Sequence, residues 1–252
     1  MAEEALRNAP LRIAMWSGPR NISTAMMRAF ENRPDTAVVD EPFYAAYLAT
    51  TGAAHPMRDE VLRSQPTDWR KVAAALAGPS PDGAPVFYQK HMTHHMTPDV
   101  GLDWMAACRN VFLIRRPAEV IASYTAKRET VDLADIGVAR QAELFDREAQ
   151  RLSRAPLVID SADVAADPRS LLTALCAALG IPFTDAMLSW PAGSRPSDGV
   201  WAPAWYDQVE RSTGFEIRTR AAAPALPPAS QRVADAAQPY YAALAKWALS
   251  AS

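Results

Sequence analysis

The chain has 252 residues, 49% of them hydrophobic, and its 26 basic and 28 acidic side chains leave a formal net charge of −2. This size and composition allow one full hydrophobic core, and we expect a single domain over 1–252. The small net charge excludes a general field for polyanions, so nucleic acid is not expected as a partner and any affinity for phosphate or sulfate must be local.

The sequence lacks the usual signals for secretion and membrane insertion. Residues 1–10 carry no apolar signal-peptide core, and no apolar run approaches the roughly 18 residues of a membrane helix. Cys108 and Cys176 lie in apolar helical patterns without the paired spacing of a metal site. We therefore expect a soluble cytoplasmic protein with no membrane partner.

Short apolar runs bounded by turn residues predict five buried strands, at Leu11–Trp16, Thr36–Val39, Val86–Gln89, Asn110–Ile114 and Leu157–Ile159. Helical periodicity, with Pro or Gly at most segment ends, predicts helices at Ile22–Glu31, Asp68–Ala77, Asp99–Ala107, Ala118–Lys127, Ala139–Leu152, Ser170–Leu179 and Gln231–Ser250. This alternation predicts an α/β fold with a mainly parallel central sheet and helices on both faces. We assign the α/β core to 11–182, and a cap loop with a C-terminal helix to 183–252.

The first strand runs directly into the turn Ser17-Gly18-Pro19-Arg20-Asn21-Ile22-Ser23-Thr24, and a helical pattern follows. A strand-turn-helix at the start of a parallel sheet directs free N–H groups and the positive helix end at one point, which suits an anion. Gly18 allows close approach, Arg20 supplies a charged fork, and the Ser23 and Thr24 hydroxyls can donate to phosphate oxygens. The alternative is an ordinary turn capped by Asn21 or Ser23.

A second anion site is predicted at the end of the fourth strand. Arg115 leaves the carboxyl end of this strand, Pro117 begins the next helix, and Ser123 lies eight residues after Arg115. Cationic side chains at a helix start oppose the helix dipole unless an anion is present. A surface arginine pair, Arg115 and Arg116, is the competing interpretation.

These two motifs resemble those of the sulfotransferase family. The run Pro19–Thr24 is similar to the family's loop for 5′-phosphosulfate, P-[KR]-S-G-[ST]-T, from which Asn21 and Ile22 depart. Arg115 and Ser123 have the spacing of its 3′-phosphate signature. The resemblance covers roughly residues 11–182 and implies a P-loop NTPase-like three-layer sandwich. It also implies PAPS (3′-phosphoadenosine-5′-phosphosulfate) as donor cosubstrate, PAP as product, and both motifs as its binding site.

Sulfonyl transfer needs an acceptor in line, a base for its proton and cations on the leaving phosphate. Glu41 follows the second strand, where the resemblance to bacterial and Golgi-type sulfotransferases implies a base, although Asp40 and Glu41 could instead cap the next helix. Lys90, His91 and His94 follow the third strand, where the resemblance to cytosolic sulfotransferases implies a lysine and a histidine that acts as the base. A histidine titrates near neutral pH unaided, whereas glutamate needs burial or crowding. We rank Glu41 first and keep both histidines as alternatives.

Three other interpretations stay open. The run His91, His94, His95 resembles part of a zinc site, but it lacks a fourth ligand of evident spacing and no metal is expected. A P-loop kinase would use Asp40 for Mg²⁺, yet its turn lysine is missing. A non-catalytic nucleotide-binding protein fits the irregular Ile22 but not cations at three strand ends.

The acceptor is expected to be a small molecule with a hydroxyl or amine. Aromatic residues after the second strand and in the cap loop could line its pocket; they are Phe43, Tyr44, Tyr47, Trp190, Trp201, Trp205 and Tyr206. The last helix, with Tyr240, Tyr241 and Trp247, offers a surface for a homo-oligomer.

Overall fold

The computed structural model describes residues 9–126, 130–219 and 222–250. At its centre lie five strands: β1 (Leu11–Ser17), β2 (Thr36–Asp40), β3 (Val86–Met92), β4 (Arg109–Ile114) and β5 (Leu157–Asp160). They form one sheet in the order β2-β3-β1-β4-β5, and each neighbouring pair is parallel. The predicted strands are confirmed. Each extends beyond its apolar run because polar residues such as Ser17, Asp40 and Lys90 continue the ladder.

The helices run between and after these strands. They are α1 (Ser23–Glu31), α2 (Tyr44–Thr51), α3 (Arg58–Ser64), α4 (Trp69–Ala77), α5 (Pro117–Thr125), α6 (Leu133–Ile136), α7 (Val138–Leu152), α8 (Ser161–Ala166), α9 (Pro168–Leu179), α10 (Ala202–Trp205), α11 (Asp207–Arg211) and α12 (Pro228–Ala245). The last residue of the predicted helix Ala118–Lys127 lies outside the described residues. Within the described ranges, no helix is both long and apolar enough to cross a membrane.

The predicted helix Asp99–Ala107 is wrong over its first half. Only Asp103–Ala107 is helical, and it forms a 3₁₀ turn. Before it, the Val100 N–H donates to the Thr97 carbonyl in a tight turn, and Gly101 lies so close to the Trp69 ring that a Cβ atom there would sit 2.6 Å from it. Cys108 therefore follows a 3₁₀ turn, whereas Cys176 lies in α9 as predicted.

Helices cover both faces of the sheet, as a three-layer arrangement requires. On the first face, Trp16 and Phe112 pack in a core with α4, α7 and α12. On the second face, Met15, Tyr88 and Leu113 pack with α1 and α9. The side chains alternate between these cores along each strand, as expected when both faces are buried.

The same alternation sorts the polar residues at the carboxyl end of β3. Lys90 shares the face of Tyr88 and is the register partner of Asp40 on β2. His91 shares the opposite face, where its ring stacks on Trp16 with centroids 4.4 Å apart. Neighbouring residues on one strand are thereby sent to opposite sides of the sheet.

A buried ionic cluster ties α1 to a stretch that we call the cap segment, residues 195–206. Arg28 of α1 is fully buried, and its Nη2 lies 2.7 Å from Asp198 Oδ2. Glu31 pairs with Arg195 at 2.7 Å and accepts a hydrogen bond from the Ser197 hydroxyl. The cap segment is thus held against the helix that follows the β1 turn.

Arg28→Met should destabilise the fold by about 3–5 kcal/mol, because it leaves the buried Asp198 carboxylate without its cation. Urea unfolding followed by circular dichroism measures this loss. The matched control is Arg63→Met, whose guanidinium is 70% exposed beside Glu60 and which should change stability by less than about 0.5 kcal/mol. Equal effects of the two substitutions would contradict the anchoring role of Arg28.

Candidate functional site

A cavity of about 1160 Å³ lies over the carboxyl edge of the sheet. Sequence-predicted residues that border it are Pro19, Arg20, Asn21, Ile22, Ser23, Thr24, Glu41, Lys90, His94, Arg115 and Ser123. Other lining residues come from α8, from the stretch 205–219, and from Ala222 and Pro224. The structure thus brings most of the predicted site residues together around one space. This is expected, because the carboxyl ends of parallel strands lie at the same edge of a sheet, where ligands bind.

The β1 turn is held by its neighbours. A Cβ atom on Gly18 would lie 2.4 Å from the Ile136 carbonyl oxygen, so glycine is needed where α6 passes the turn. Arg20 adopts a left-handed backbone with φ 54°. The Asn21 amide donates to the Leu113 carbonyl at 3.1 Å and its side-chain oxygen accepts from the Ile22 N–H at 2.8 Å. The turn is therefore fastened to the end of β4.

The first turn of α1 is suited to an anion. In the part of the chain that the structure describes, no side chain caps this helix, so neither Asn21 nor Ser23 acts as the ordinary cap considered above. N–H groups at an uncapped helix start carry partial positive charge and take anionic ligands. Ser23 and Thr24 border the cavity at the same point.

The two predicted phosphate motifs contact each other directly. Arg20 Nε donates to the Ser123 hydroxyl at 3.1 Å, and Arg115 Nη1 donates to the Arg20 carbonyl at 2.6 Å. Glu119 lies 3.2 Å from Arg115 Nε and 3.0 Å from Arg116 Nε. Burial lowers the pKa of Arg20, the Asp207 carboxylate opposes this change, and the neighbouring Arg115 charge adds to it. An anion between these two arginines would relieve their repulsion.

A buried lysine joins the ends of β2 and β3. Lys90 is 1% exposed, and its Nζ lies 2.8 Å from Asp40 Oδ1 and 2.6 Å from Glu41 Oε1. It also donates to the Tyr206 hydroxyl at 2.7 Å. Burial lowers the pKa of Lys90, but the two carboxylates more than offset this, so its pKa stays above the ordinary value and the side chain is charged.

Glu41 occupies a strained position beside this lysine. Its φ of 38° is left-handed, a conformation that costs a non-glycine residue free energy and is typical of functional sites. Burial raises its pKa, Lys90 opposes that rise and Asp40 reinforces it. Within the described residues no side chain caps α2, so the carboxyls of Asp40 and Glu41 do not serve as the helix cap considered above.

The histidines are divided between the two sides of the sheet. His91 lies in the core on the first face, where burial lowers its pKa to about 3 and its Nε2 lies 3.2 Å from Gln89 Oε1. The structure therefore does not bring His91 to the cavity. His94 borders the cavity, with its ring 4.4 Å from the His95 ring. Among the described residues, no three His, Cys, Asp or Glu side chains are grouped to hold a metal ion.

Two hydrogen-bond partners of Lys90, Asp40 and Tyr206, were not predicted from the sequence. Asp40 could have been found, because it precedes Glu41 at a strand end and parallel strands end together. Tyr206 could not, since 116 positions separate it from Lys90 and only the path of the cap segment brings them into contact. Ser161 and Ala162, at the end of β5, also border the cavity and were not predicted.

The parallel sheet, with the cavity at its carboxyl edge, defines an α/β protein of the P-loop-like class. Residues 11–248 match the family model for the sulfotransferase domain, and the chain belongs to that family.

The sulfotransferase domain from the curacin biosynthetic pathway has a similar fold, with a TM-score of 0.55 and 17% identity over 90% of this chain and 97% of that one. A mouse sulfotransferase complexed with PAP matches with a TM-score of 0.50 and 12% identity, over 98% and 93% of the two chains.

A curated relative is the branched-chain-amino-acid aminotransferase-like protein 1 of Arabidopsis thaliana. It is 37% identical over 207 residues, which are 82% of this chain. The chain spans only 37% of that relative's length.

The raised pKa of Glu41 predicts a pH-dependent stability difference between the wild type and Glu41→Gln. The folded state holds the Glu41 proton more tightly than the unfolded chain does. Above the ordinary carboxyl value of about 4.3, the wild type should therefore lose stability relative to the variant until Glu41 is fully ionised. Urea unfolding of both proteins between about pH 4 and about pH 8 measures the difference.

The control for this titration is Glu143→Gln, which removes an exposed carboxylate on α7 that is paired with Arg140. Because solvent screens this exposed carboxylate, the stability difference between the wild type and Glu143→Gln should change much less with pH. If the wild type instead gains stability over Glu41→Gln as the pH rises, the prediction is wrong, because Lys90 then lowers the pKa of Glu41 by more than burial raises it.

Proposed function

We propose that the protein transfers a sulfonyl group from PAPS to a hydroxyl or amine of a small-molecule acceptor and releases PAP. The observation that carries this proposal is the direct contact of two anion sites, through the Arg20–Ser123 and Arg115–Arg20 hydrogen bonds, in the cavity that also holds Glu41 and Lys90. Membership of the sulfotransferase domain family supports it, as does the PAP complex of the mouse sulfotransferase with a similar fold.

The donor would span the two anion sites. The α1 N-terminus with Ser23 and Thr24 would bind the 5′-phosphosulfate, where N–H groups and hydroxyls converge. Arg115 and Ser123 would bind the 3′-phosphate, and a guanidinium can do so with two parallel N–H bonds. Arg20 belongs to the β1 turn and is hydrogen-bonded to Ser123, so it would bridge the two phosphate groups.

Glu41 is the base that the geometry favours. Its side chain borders the cavity, burial raises its pKa, and its backbone is held in a strained conformation. A base is most effective when its pKa approaches the working pH, so burial improves this carboxylate as a proton acceptor. His94 borders the same cavity and is the alternative, whereas His91 is enclosed in the opposite core.

The kinase alternative is less well supported. Its Mg²⁺ would need a free carboxylate at the end of β2, but both Asp40 oxygens already accept hydrogen bonds, from Lys90 and from Tyr206 with Gly199. A non-catalytic nucleotide-binding protein shares the donor site with the sulfotransferase and would differ only in turnover.

Calorimetric titration with PAP, ATP and 5′-AMP, each with and without Mg²⁺, tests the proposed function. We expect metal-independent binding of PAP that exceeds binding of 5′-AMP, because the second phosphate meets Arg115. Preference for ATP with Mg²⁺ would favour a kinase. Tight PAP binding without PAP release from PAPS, across a panel of phenol, alcohol and amine acceptors, would favour the non-catalytic protein.

Arg115→Ala should weaken PAP binding by about 1.5–3 kcal/mol, the usual contribution of a hydrogen bond to a charged group. The matched control is Arg109→Ala, an exposed arginine at the opposite end of β4, which should leave PAP affinity unchanged. The same titration measures both variants. Equal PAP affinity in the wild type and Arg115→Ala would remove Arg115 from the 3′-phosphate site.

Glu41→Gln should lower turnover of PAPS by about 10²–10⁴-fold while PAP affinity changes little, because a general base contributes a factor of this size to the chemical step. His94→Asn is the comparison and should lose less than about tenfold. Steady-state release of PAP, with any acceptor found in the panel, measures both. A reversed order of effects would assign the base to His94.

A further inference from the structure

The Lys90 ammonium has three N–H donors, and the structure gives each of them an acceptor at 2.6–2.8 Å. Lys90 is one of four lysines in the sequence, and of the three that the structure describes, Lys71 and Lys246 are exposed. Its charge borders the cavity, yet all its donors are directed at other protein groups. A bound nucleotide can therefore receive an N–H bond from Lys90 only if one of the present acceptors is released.

Two of the three hydrogen-bond acceptors of Lys90, Asp40 and Tyr206, are also hydrogen-bonded to each other. The Tyr206 hydroxyl donates to Asp40 Oδ2 at 2.6 Å and accepts from Trp201 Nε1 at 3.1 Å as well as from Lys90. Asp40 Oδ2 also accepts from the Gly199 N–H at 3.1 Å. Every donor and acceptor position of this hydroxyl is in use. Releasing either Asp40 or Tyr206 would break several buried hydrogen bonds at once.

Glu41 is held less firmly. Its side chain is 11% exposed, whereas that of Asp40 is 2% exposed, and Oε1 accepts from Lys90 at 2.6 Å with Tyr206 more distant at 3.5 Å. Protonation of this carboxylate would remove most of its attraction for the ammonium. Glu41 is therefore the hydrogen-bond partner that Lys90 loses most easily, and it is also the proposed base.

We propose that Asp40 and Tyr206 are positioning residues, which keep Lys90 in place through two N–H groups while Glu41 releases the third on becoming protonated. This inference rests on the proposed sulfonyl transfer. The acceptor's O–H proton moves to a Glu41 oxygen, and the acceptor oxygen forms the new bond to sulfur. The bond between sulfur and the 5′-phosphate oxygen breaks, its electron pair stays on PAP, and the released N–H donates to that oxygen.

The groups that face Glu41 predict opposite effects for the two positioning residues. Burial raises its pKa, Asp40 from β2 raises it further, and Lys90 from β3 and Tyr206 from the cap segment lower it. The Lys90 charge also acts on the pKa of Tyr88 and on that of His95, and neither residue is changed in the variants below. Removal of the Tyr206 hydroxyl should therefore raise the Glu41 pKa, and removal of the Asp40 charge should lower it.

The experiment is ¹⁵N NMR of the lysine side chains, in which four lysines give a sparse spectrum and Lys90→Met identifies the Lys90 signal. We expect slowly exchanging ammonium protons for Lys90 and a titration of its Nζ shift that disappears in Glu41→Gln. Below the midpoint of this titration, exchange with water should accelerate as the third N–H is released. This measurement needs neither PAPS nor an acceptor.

Tyr206→Phe should move the midpoint up by about half a pH unit, equivalent to one weak hydrogen bond, and Asp40→Asn should move it down by about one unit. Tyr241→Phe is the matched control, since it also removes a buried tyrosine donor, at 2.6 Å from Asp160, and should leave the midpoint unchanged. If Tyr206→Phe fails to fold, Trp201→Phe removes one donor to the same hydroxyl and should give a smaller upward shift.

Shifts in the same direction for Tyr206→Phe and Asp40→Asn, or no shift in either, would overturn the positioning roles. Loss of stability alone cannot produce shifts of opposite sign. PAP calorimetry on the wild type keeps the two proposals separate. Binding and turnover without opposite shifts refute only the positioning roles, whereas opposite shifts without PAP binding support them and refute the proposed function.

Discussion

The ion cluster around Lys90 is the interaction on which the rest of the site depends. An ammonium buried to this degree is tolerated only when it is paired and all its protons have acceptors. Asp40, the last residue of β2, and Glu41 directly after it supply the negative charges, because the parallel register places Asp40 beside Lys90. Tyr206 supplies the third acceptor from the cap segment. Sheet edge and cap are therefore coupled through one cation, so displacing the cap segment would leave a buried N–H without its acceptor.

Glu41 is held in an energetically unfavourable state, and contacts elsewhere in the fold stabilise that state. The residue combines a left-handed backbone with burial that raises its pKa, both unfavourable for an ordinary glutamate. Its backbone is fixed from two sides, since its N–H donates to the Lys90 carbonyl at 3.0 Å and its own carbonyl accepts from Gln65 Nε2 at 3.2 Å. The Arg28–Asp198 pair holds the cap segment independently of the cavity. The strained backbone of Glu41 is thus held partly by Gln65, which does not line the cavity.

The sequence was sufficient for the sheet and for the meeting of its strand ends, because apolar runs and helical periods report burial directly. It was insufficient where long-range geometry decides. Ending the third predicted strand at Gln89 left the directions of Lys90 and His91 undetermined, whereas the observed strand reaches Met92 and sends these neighbours to opposite faces. The helix Tyr44–Thr51 was missed because its apolar residues do not form one clear face. The contact of Tyr206 with Lys90 depends on a chain path that no local pattern encodes.

The two departures from the family's loop show how the β1 turn keeps its shape without the expected glycine. Ile22 cannot curl as freely as glycine, but its side chain packs against the core on the second face and stabilises the start of α1. Asn21 replaces a hydroxyl with an amide that reaches the Leu113 carbonyl, so the turn is fastened to β4, the strand that also presents Arg115. In the proposed binding of PAPS, a turn held in this way would depend less on backbone flexibility and more on side-chain cations for its affinity for the donor. The spacing of Arg20 and Arg115, fixed by the hydrogen bond between them, then becomes the feature that would distinguish a nucleotide with two separate phosphate groups from one with a single chain of phosphates.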